Sequence, residues 1–360
     1  MQNRINTMSN TGDFSLKAYL LPMSKDSRSE KIRKIVFLFS IVVFIASLVQ
    51  LGLFLRSKGI EESYRQELLS YAPHLEDEIP ASPAGQTAQT QKSDPSSPSQ
   101  PSDPNGEKTE RVIQPWAEKL LKKNKDVVGW LSIPTHTDSK GEAYINTAVV
   151  KGKDNDEYLY LNLDRQYSIS GTLFADSRCT IEKDKQSDNI TVYGHHMGYI
   201  GTGLTHIHEY KQGADFLRKN AIINFNTIYD GKNRKYAIVG CFVTNAFEGA
   251  DNGKIFKYWA AKDFEGKTKE FNEWIGNVRK YSWYSCDINC TDKDDYLTLS
   301  TCSDECWGIR WVIVAKKLTA NDDIDKITAS YKDKAEKDIY FPAVWVNKYG
   351  NKKVYYGWDF

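Results

Sequence analysis

The chain has 360 residues, 48 Lys and Arg against 47 Asp and Glu, and 40% hydrophobic residues. This length allows one large domain with appendages, and the balanced charge leaves no footprint for nucleic acid or another polyanion. Six Cys are too sparse for a disulfide scaffold in a chain this long, and no phosphate loop, dinucleotide fingerprint or internal repeat is found.

Residues 1–34 are polar, without clear periodicity, and are expected to form a cytoplasmic tail. From Ile35 to Leu55 no charge interrupts the chain, and about 20 apolar residues cross a bilayer core as a helix. Lys25, Arg28, Lys31, Arg33 and Lys34 precede this run, which sets the N-terminal side in the cytoplasm. The run is longer than the apolar part of a signal peptide, and no small-x-small site follows it. A single-pass signal anchor through residues 35–55 is therefore expected, with everything after it outside the cell. Residues 56–110 read as a stalk. A short helix over Gly59 to Ala72 leads into a linker carrying Pro80, Pro83, Pro95, Pro98, Pro101 and Pro104. Such composition buries too little apolar surface to fold, and its stiffness suits a spacer.

Residues 111–318 read as the folded domain. Ile113, Trp116, Ala117, Leu120 and Leu121 share one helical face. Strands are predicted at Val127–Ile133, Tyr144–Val150, Gly171–Phe174 and Asn189–Tyr193, with a loop from Lys153 through Tyr158, Leu159 and Tyr160. Ala221–Phe225 and Tyr236–Val243 flank Asp230-Gly231, a hairpin signal. Phe264, Phe271, Trp274, Ile275 and Val278 mark a second helix. Residues 319–360 suggest a helix over Ile324 to Ala335 and a hairpin of Ala343–Val346 with Val354–Tyr356. Their apolar content is too high for a disordered tail.

Chemistry concentrates between Tyr296 and Leu318, a strand, a loop and a strand. Cys302 ends the first strand and Arg310 begins the second. A thiol at a strand end is accessible yet held still, and a cation across the loop can favour the thiolate and face a developing oxyanion. The plain alternative is a packed Cys and a solvated Arg. A thiol nucleophile needs a His or cation partner. His74 lies in the linker and His136 in a polar turn. His206 and His208 form an i, i+2 pair that suits a metal but more often marks a surface. His195 and His196 directly follow the strand ending at Tyr193, after Gly194, and strand alternation turns them to opposite faces.

Thr298-Leu299-Ser300-Thr301-Cys302 followed by Arg310 resembles the TLxTC…R signature of sortases, the cysteine transpeptidases of Gram-positive cell surfaces. Tyr193-Gly194-His195 resembles their His motif. Asp126-Val127-Val128-Gly129-Trp130, Tyr158-Leu159 and Gly171-Thr172-Leu173-Phe174-Ala175-Asp176 resemble class B members in particular, over roughly residues 111–318. The resemblance implies a mainly β fold, a closed eight-stranded β-barrel with peripheral helices. It implies catalytic roles for Cys302, His195 and Arg310, and a substrate groove of Ser300, Thr301, Tyr193, Asn155 and Leu159. Implied partners are sorting-signal-bearing surface proteins or pilins, and an amine acceptor of the cell wall or a pilin. No cofactor and no metal is implied. Two further readings stay open: another cysteine hydrolase or peptidoglycan transpeptidase, and a non-catalytic surface module in which Cys286, Cys290, Cys302 and Cys306 bind zinc. Cys306 is expected either to pack under Trp307 or to capture an oxidised Cys302.

Overall fold

In the computed structural model, residues 20–76, 111–198, 200–247, 251 and 255–357 are described. Most of the Pro-rich linker, much of the N-terminal tail and Trp358 lie outside them.

The chain divides into two units, residues 1–63 and 64–360. The first holds most of helix α1 (Arg28–Leu69), whose apolar window has a mean hydropathy of 2.6 and no buried share. That helix is long and apolar enough to cross a membrane. It runs unbroken through Gly59, so the short helix expected over Gly59 to Ala72 is its continuation, ending at Leu69.

In the second unit eight strands close into a barrel. They are β1 (Val127–Thr137), β2 (Ala143–Val150), β3 (Leu173–Ala175), β4 (Asn189–Tyr193), β5 (Ile222–Thr227), β6 (Lys235–Asn245), β7 (Tyr296–Cys302) and β8 (Ile309–Lys317). Their order around the barrel is β1-β2-β3-β4-β7-β8-β6-β5, and the expected eight-stranded closed barrel is thus present. Pairing is antiparallel except β2 with β3 and β4 with β7. These sequences are rich in Val, Ile, Tyr and Trp, which suit a pleated and half-buried surface. On β1 and β2 the two faces serve different cores. Leu131, Ile133, Ile145 and Val149 join the main core, while Trp130, Ala148 and Val150 meet Ala117 and Leu120 of helix α2 (Pro115–Lys123). Ile113, placed on that helical face by its spacing, lies ahead of the helix and is exposed. Pro115 at the helix start explains this, since its fixed φ favours the first turn.

The folded unit starts earlier than residue 111. The Tyr64 hydroxyl accepts from the Leu163 amide at 3.0 Å, and Arg65 pairs with Asp138 at 2.7 Å.

Helices α3 (Ala214–Asn220) and α4 (Thr268–Tyr281) lie outside the strands, and Phe271, Trp274, Ile275 and Val278 of α4 are buried. After β8 come α5 (Ile324–Ser330) and α6 (Ala343–Tyr349). The hairpin expected over 343–356 is not formed: residues 343–349 are helical, and Val354–Tyr356 has no regular structure. Val344, Trp345 and Val346 carry β propensity, but Pro342 starts a helix, and tertiary packing of Trp345 overrides propensity. Trp345 is fully buried, with its ring 6.0 Å from Trp283, which stands 4.9 Å from Trp311 of β8. The Tyr331 hydroxyl donates to the Ile238 carbonyl of β6 at 2.7 Å. The segment after β8 is a packed part of the domain.

Candidate active site

Two strand pairings create the site. β4 runs parallel to β7 with Tyr193 opposite Ser300, so the residues leaving both strands emerge side by side. β7 pairs antiparallel with β8, and its last pair is Cys302 opposite Arg310. The His-bearing turn, the thiol and the guanidinium therefore meet at one end of the barrel, although more than a hundred positions separate His195 from Cys302.

They line a cleft of about 410 Å³. Its walls include Asn155, Leu159, Tyr193, His195, Tyr258, Ser300, Cys302 and Arg310. The Arg310 guanidinium donates to Cys302 Sγ, and Cys302 is partly accessible. His195 Nε2 lies 2.8 Å from the Leu159 carbonyl oxygen. A carbonyl can only accept, so Nε2 carries a proton there. The Tyr160 ring stands 5.3 Å away. His196 leaves the strand on the other side, as alternation predicts. Its ring stacks on His208 at 4.1 Å, its Nε2 is 3.2 Å from Asp304, and it does not line the cleft. Burial holds both His196 and His208 below the ordinary imidazole range.

Gly194 sets where the turn leaves β4. A Cβ there would come within 2.3 Å of Leu173 Cδ2 and 2.9 Å of Leu204 Cγ. A side chain at this position would push the turn off the barrel end. Thr301, expected to touch substrate, does not line the cleft. Its hydroxyl donates to the Gly194 carbonyl at 2.8 Å, tying the His turn to the Cys strand. Ser300 lines the cleft and shares a 2.6 Å hydrogen bond with Tyr258. Burial pushes the Tyr258 hydroxyl up to about 12.

Tyr193 donates to the fully buried Asp176 at 2.9 Å, and Arg178 donates to the same carboxylate. Burial alone would raise the Asp176 carboxyl, but the bonds from Arg178 and Tyr193 outweigh it and hold it below the usual range. The Asn155 side chain accepts from the Ser177 amide at 2.8 Å, pinning the loop that carries this pair.

The loop from Ser303 to Gly308 is held from behind. Lys211 and Glu305 form a buried ion pair. Lys348 and Tyr349 of α6 donate to the Glu305 carbonyl, the latter at 2.7 Å. His208, on the 3₁₀ helix Thr205–Gln212, donates from Nε2 to the Cys302 carbonyl at 2.9 Å. His206 and His208 are buried, not surface residues, because this helix tucks under the site. Cys306 is buried beside the Val344 carbonyl and not under Trp307, which is 84% exposed and stacks on Phe247.

The four-Cys zinc arrangement is not assembled. Cys286 faces the Val239 carbonyl, Cys290 that of Ile288, Cys302 faces Arg310, and Cys306 faces α6. Tyr258, Arg178 and the Lys211–Glu305 pair escaped the sequence reading, and His208 entered it only as half of a surface or metal pair. Tyr258, Arg178, His208 and Lys211 lie far along the chain from Cys302, and Glu305, though close in sequence, shows its role only once the buried Lys211 meets it.

No family model matches the chain. It is 29% identical over 197 residues to Sortase B of Staphylococcus aureus (strain NCTC 8325 / PS 47), covering 55% of this chain and 71% of that protein. It is also 29% identical over 187 residues to Sortase B of Listeria monocytogenes serovar 1/2a, covering 52% of this chain and 66% of that protein. Among solved structures, the 2.0 Å crystal structure of Staphylococcus aureus Sortase B matches at a TM-score of 0.48 and 27% identity, over 57% of this chain and 88% of that one.

Proposed function

We propose, from the premise that this chain is a class B sortase and a cysteine transpeptidase, that Cys302, His195 and Arg310 carry its reaction. The observation supporting this is the Arg310 guanidinium on Cys302 Sγ in a cleft shared with His195.

The reaction is acyl transfer in two halves. The Cys302 sulfur attacks the carbonyl of a Thr–X bond in a sorting signal, and the carbonyl oxygen becomes an oxyanion. Arg310 faces that charge with donors already in place, the kind of preorganised electrostatics that lowers a barrier most. His195 gives a proton to the departing amine as the C–N bond breaks. A thioester on Cys302 remains. An acceptor amine attacks it, His195 takes the amine proton, and the thiolate leaves as the new amide forms. Tyr193, Ser300, Asn155 and Leu159 shape the groove for the sorting signal, and Thr301 supports them through Gly194.

Sortases act on sorting-signal substrates and amine acceptors. For this chain the acceptor is an amine of a cell-wall precursor or a pilin lysine. Residues 35–55 anchor it as a single span, with residues 1–34 in the cytoplasm and the barrel outside the cell.

The test is incubation of the chain with a Thr-containing sorting-signal peptide, with and without an amine. A thioester at Cys302 that converts to an amide only when amine is present supports the reading. Hydrolysis unaffected by any amine would favour a hydrolase instead.

A further inference from the structure

Outside the cleft, where the end of β1 meets the 3₁₀ helix Thr205–Gln212, lies a cluster that the reaction above does not use. His136 was read as a solvated turn residue and His206 as a surface one. The structure brings both to the same carboxylate oxygen. His206 Nδ1 is 2.8 Å from Glu209 Oε1, and His136 Nδ1 is 3.3 Å from it. The two imidazoles lie parallel, 4.4 Å apart. Among the described residues this is the one group of three His, Cys, Asp or Glu whose ligand atoms all fall within 4.8 Å of one another.

We propose that His136, His206 and Glu209 bind a divalent transition-metal ion, with Zn²⁺ the ion their chemistry suits best. Two imidazoles and one carboxylate form a borderline N/O set that suits zinc, and three protein ligands leave a fourth position for water. Zinc–ligand bonds are about 2.0–2.2 Å, so neighbouring ligands on a tetrahedron stand about 3.3 Å apart. Two edges of this cluster, at 2.8 and 3.3 Å, already have about that length. The ion takes the place of the protons now shared with the carboxylate. The remaining edge closes by a turn of His136, whose side chain is 38% exposed and supplies the entry path.

The surroundings agree with a cation. Glu209 is 9% exposed, so its charge is poorly screened by water. Arg65 lies over the Tyr144 ring at 4.6 Å and is paired with Asp138 at 2.7 Å, and Lys211 of the same 3₁₀ helix is paired with Glu305. Both imidazoles pack against Tyr144, at 5.1 and 5.0 Å, which fixes their orientation. The backbone is also arranged for it. Between Ile133 and Thr137 the β1–β2 register shifts, so extra residues bulge from β1, and His136 is one of them. Bulges re-aim side chains in this way. His206 and Glu209 come from the same 3₁₀ helix that carries His208 to the Cys302 carbonyl. An ion at this cluster therefore clamps β1 to the element that braces Cys302. The proposal does not rest on the identity of the reaction.

The test is titration of the full chain, in detergent and with its thiols reduced, with Co²⁺ followed by Zn²⁺. One equivalent of Co²⁺ is expected, with an absorption spectrum of nitrogen and oxygen ligation and no thiolate charge-transfer band. Zn²⁺ should displace it and raise the melting temperature. His136→Ala and Glu209→Gln should each weaken binding by more than about tenfold, the scale on which even second-shell ligand partners act. His136 is half-exposed, so its variant should melt as the parent does without metal. Cys302→Ala should bind normally. Absence of stoichiometric binding, a thiolate band lost on replacing Cys286 or Cys302, or full affinity in His136→Ala would each overturn the proposal.

Discussion

Cys302 has Arg310 as its cross-strand partner, and the proposed chemistry rests on that pairing. A guanidinium offers a planar fork of donors that an ammonium cannot copy. Arg310→Lys should therefore lower kcat by about 10²–10³-fold although the charge is kept, the range found on removing one oxyanion donor. Steady-state turnover of a fluorogenic sorting-signal peptide measures it, and near-parental turnover would mean that charge alone matters. His195→Ala should fall to a trace of activity while His196→Ala keeps most of it, because only His195 lines the cleft. The reverse result would assign the role to the wrong neighbour. Asp176 gives a pH prediction. Its folded-state value is lowered, so its contribution to stability is present above the unfolded carboxylate range, about 3.9, and is lost as pH falls through the folded value. Asp176→Asn should be less stable at neutral pH and should lose less on further acidification. Melting temperatures of both proteins from pH 7 to pH 3 check this, and parallel curves would refute it.

At the scale of elements, the strands and the site motifs were legible in the sequence because both depend on short-range patterns. Asn189–Tyr193 was bounded by Gly194, and the β7 and β8 residues alternate or run apolar as buried strands do. The TLSTC…R and Tyr-Gly-His segments carry their own spacing. What was not legible depends on contacts far apart in the chain. His206 and His208 looked like surface residues because their 3₁₀ helix has no clean apolar stripe. The resemblance placed Thr301 in the substrate groove, and its hydroxyl is bound to the Gly194 carbonyl. Residues 343–346 read as a strand, but Trp345 packs against Trp283 from a helix over residues 343–349. That packing supports a further prediction. Trp345→Ala should destabilise the domain by about 3–5 kcal/mol, as for other buried Trp replacements. Tyr349→Phe should cost far less stability and yet slow turnover, because it removes one of the two donors that hold the Glu305 carbonyl in the loop between Cys302 and Arg310. Denaturant unfolding beside turnover separates these, and an unchanged rate in Tyr349→Phe would leave α6 a purely structural element.

For the whole molecule, a barrel brings together two strand ends that a linear reading can only list. Parallel pairing of β4 with β7 sets the His turn beside the thiol, and the β7–β8 hairpin sets the cation opposite it. The helix α1 supplies a candidate membrane anchor, and the segment after β8 locks the loop from behind. The central claim is that Cys302 carries an acyl group from a sorting signal to an amine. Intact-mass spectrometry of the full chain with a sorting-signal peptide measures it directly, first without amine and then with one added. The account predicts an adduct of the acyl mass on Cys302, absent in Cys302→Ala and discharged by the amine into a peptide–amine product. An adduct that survives in Cys302→Ala, or an amide product formed by that variant, would contradict it.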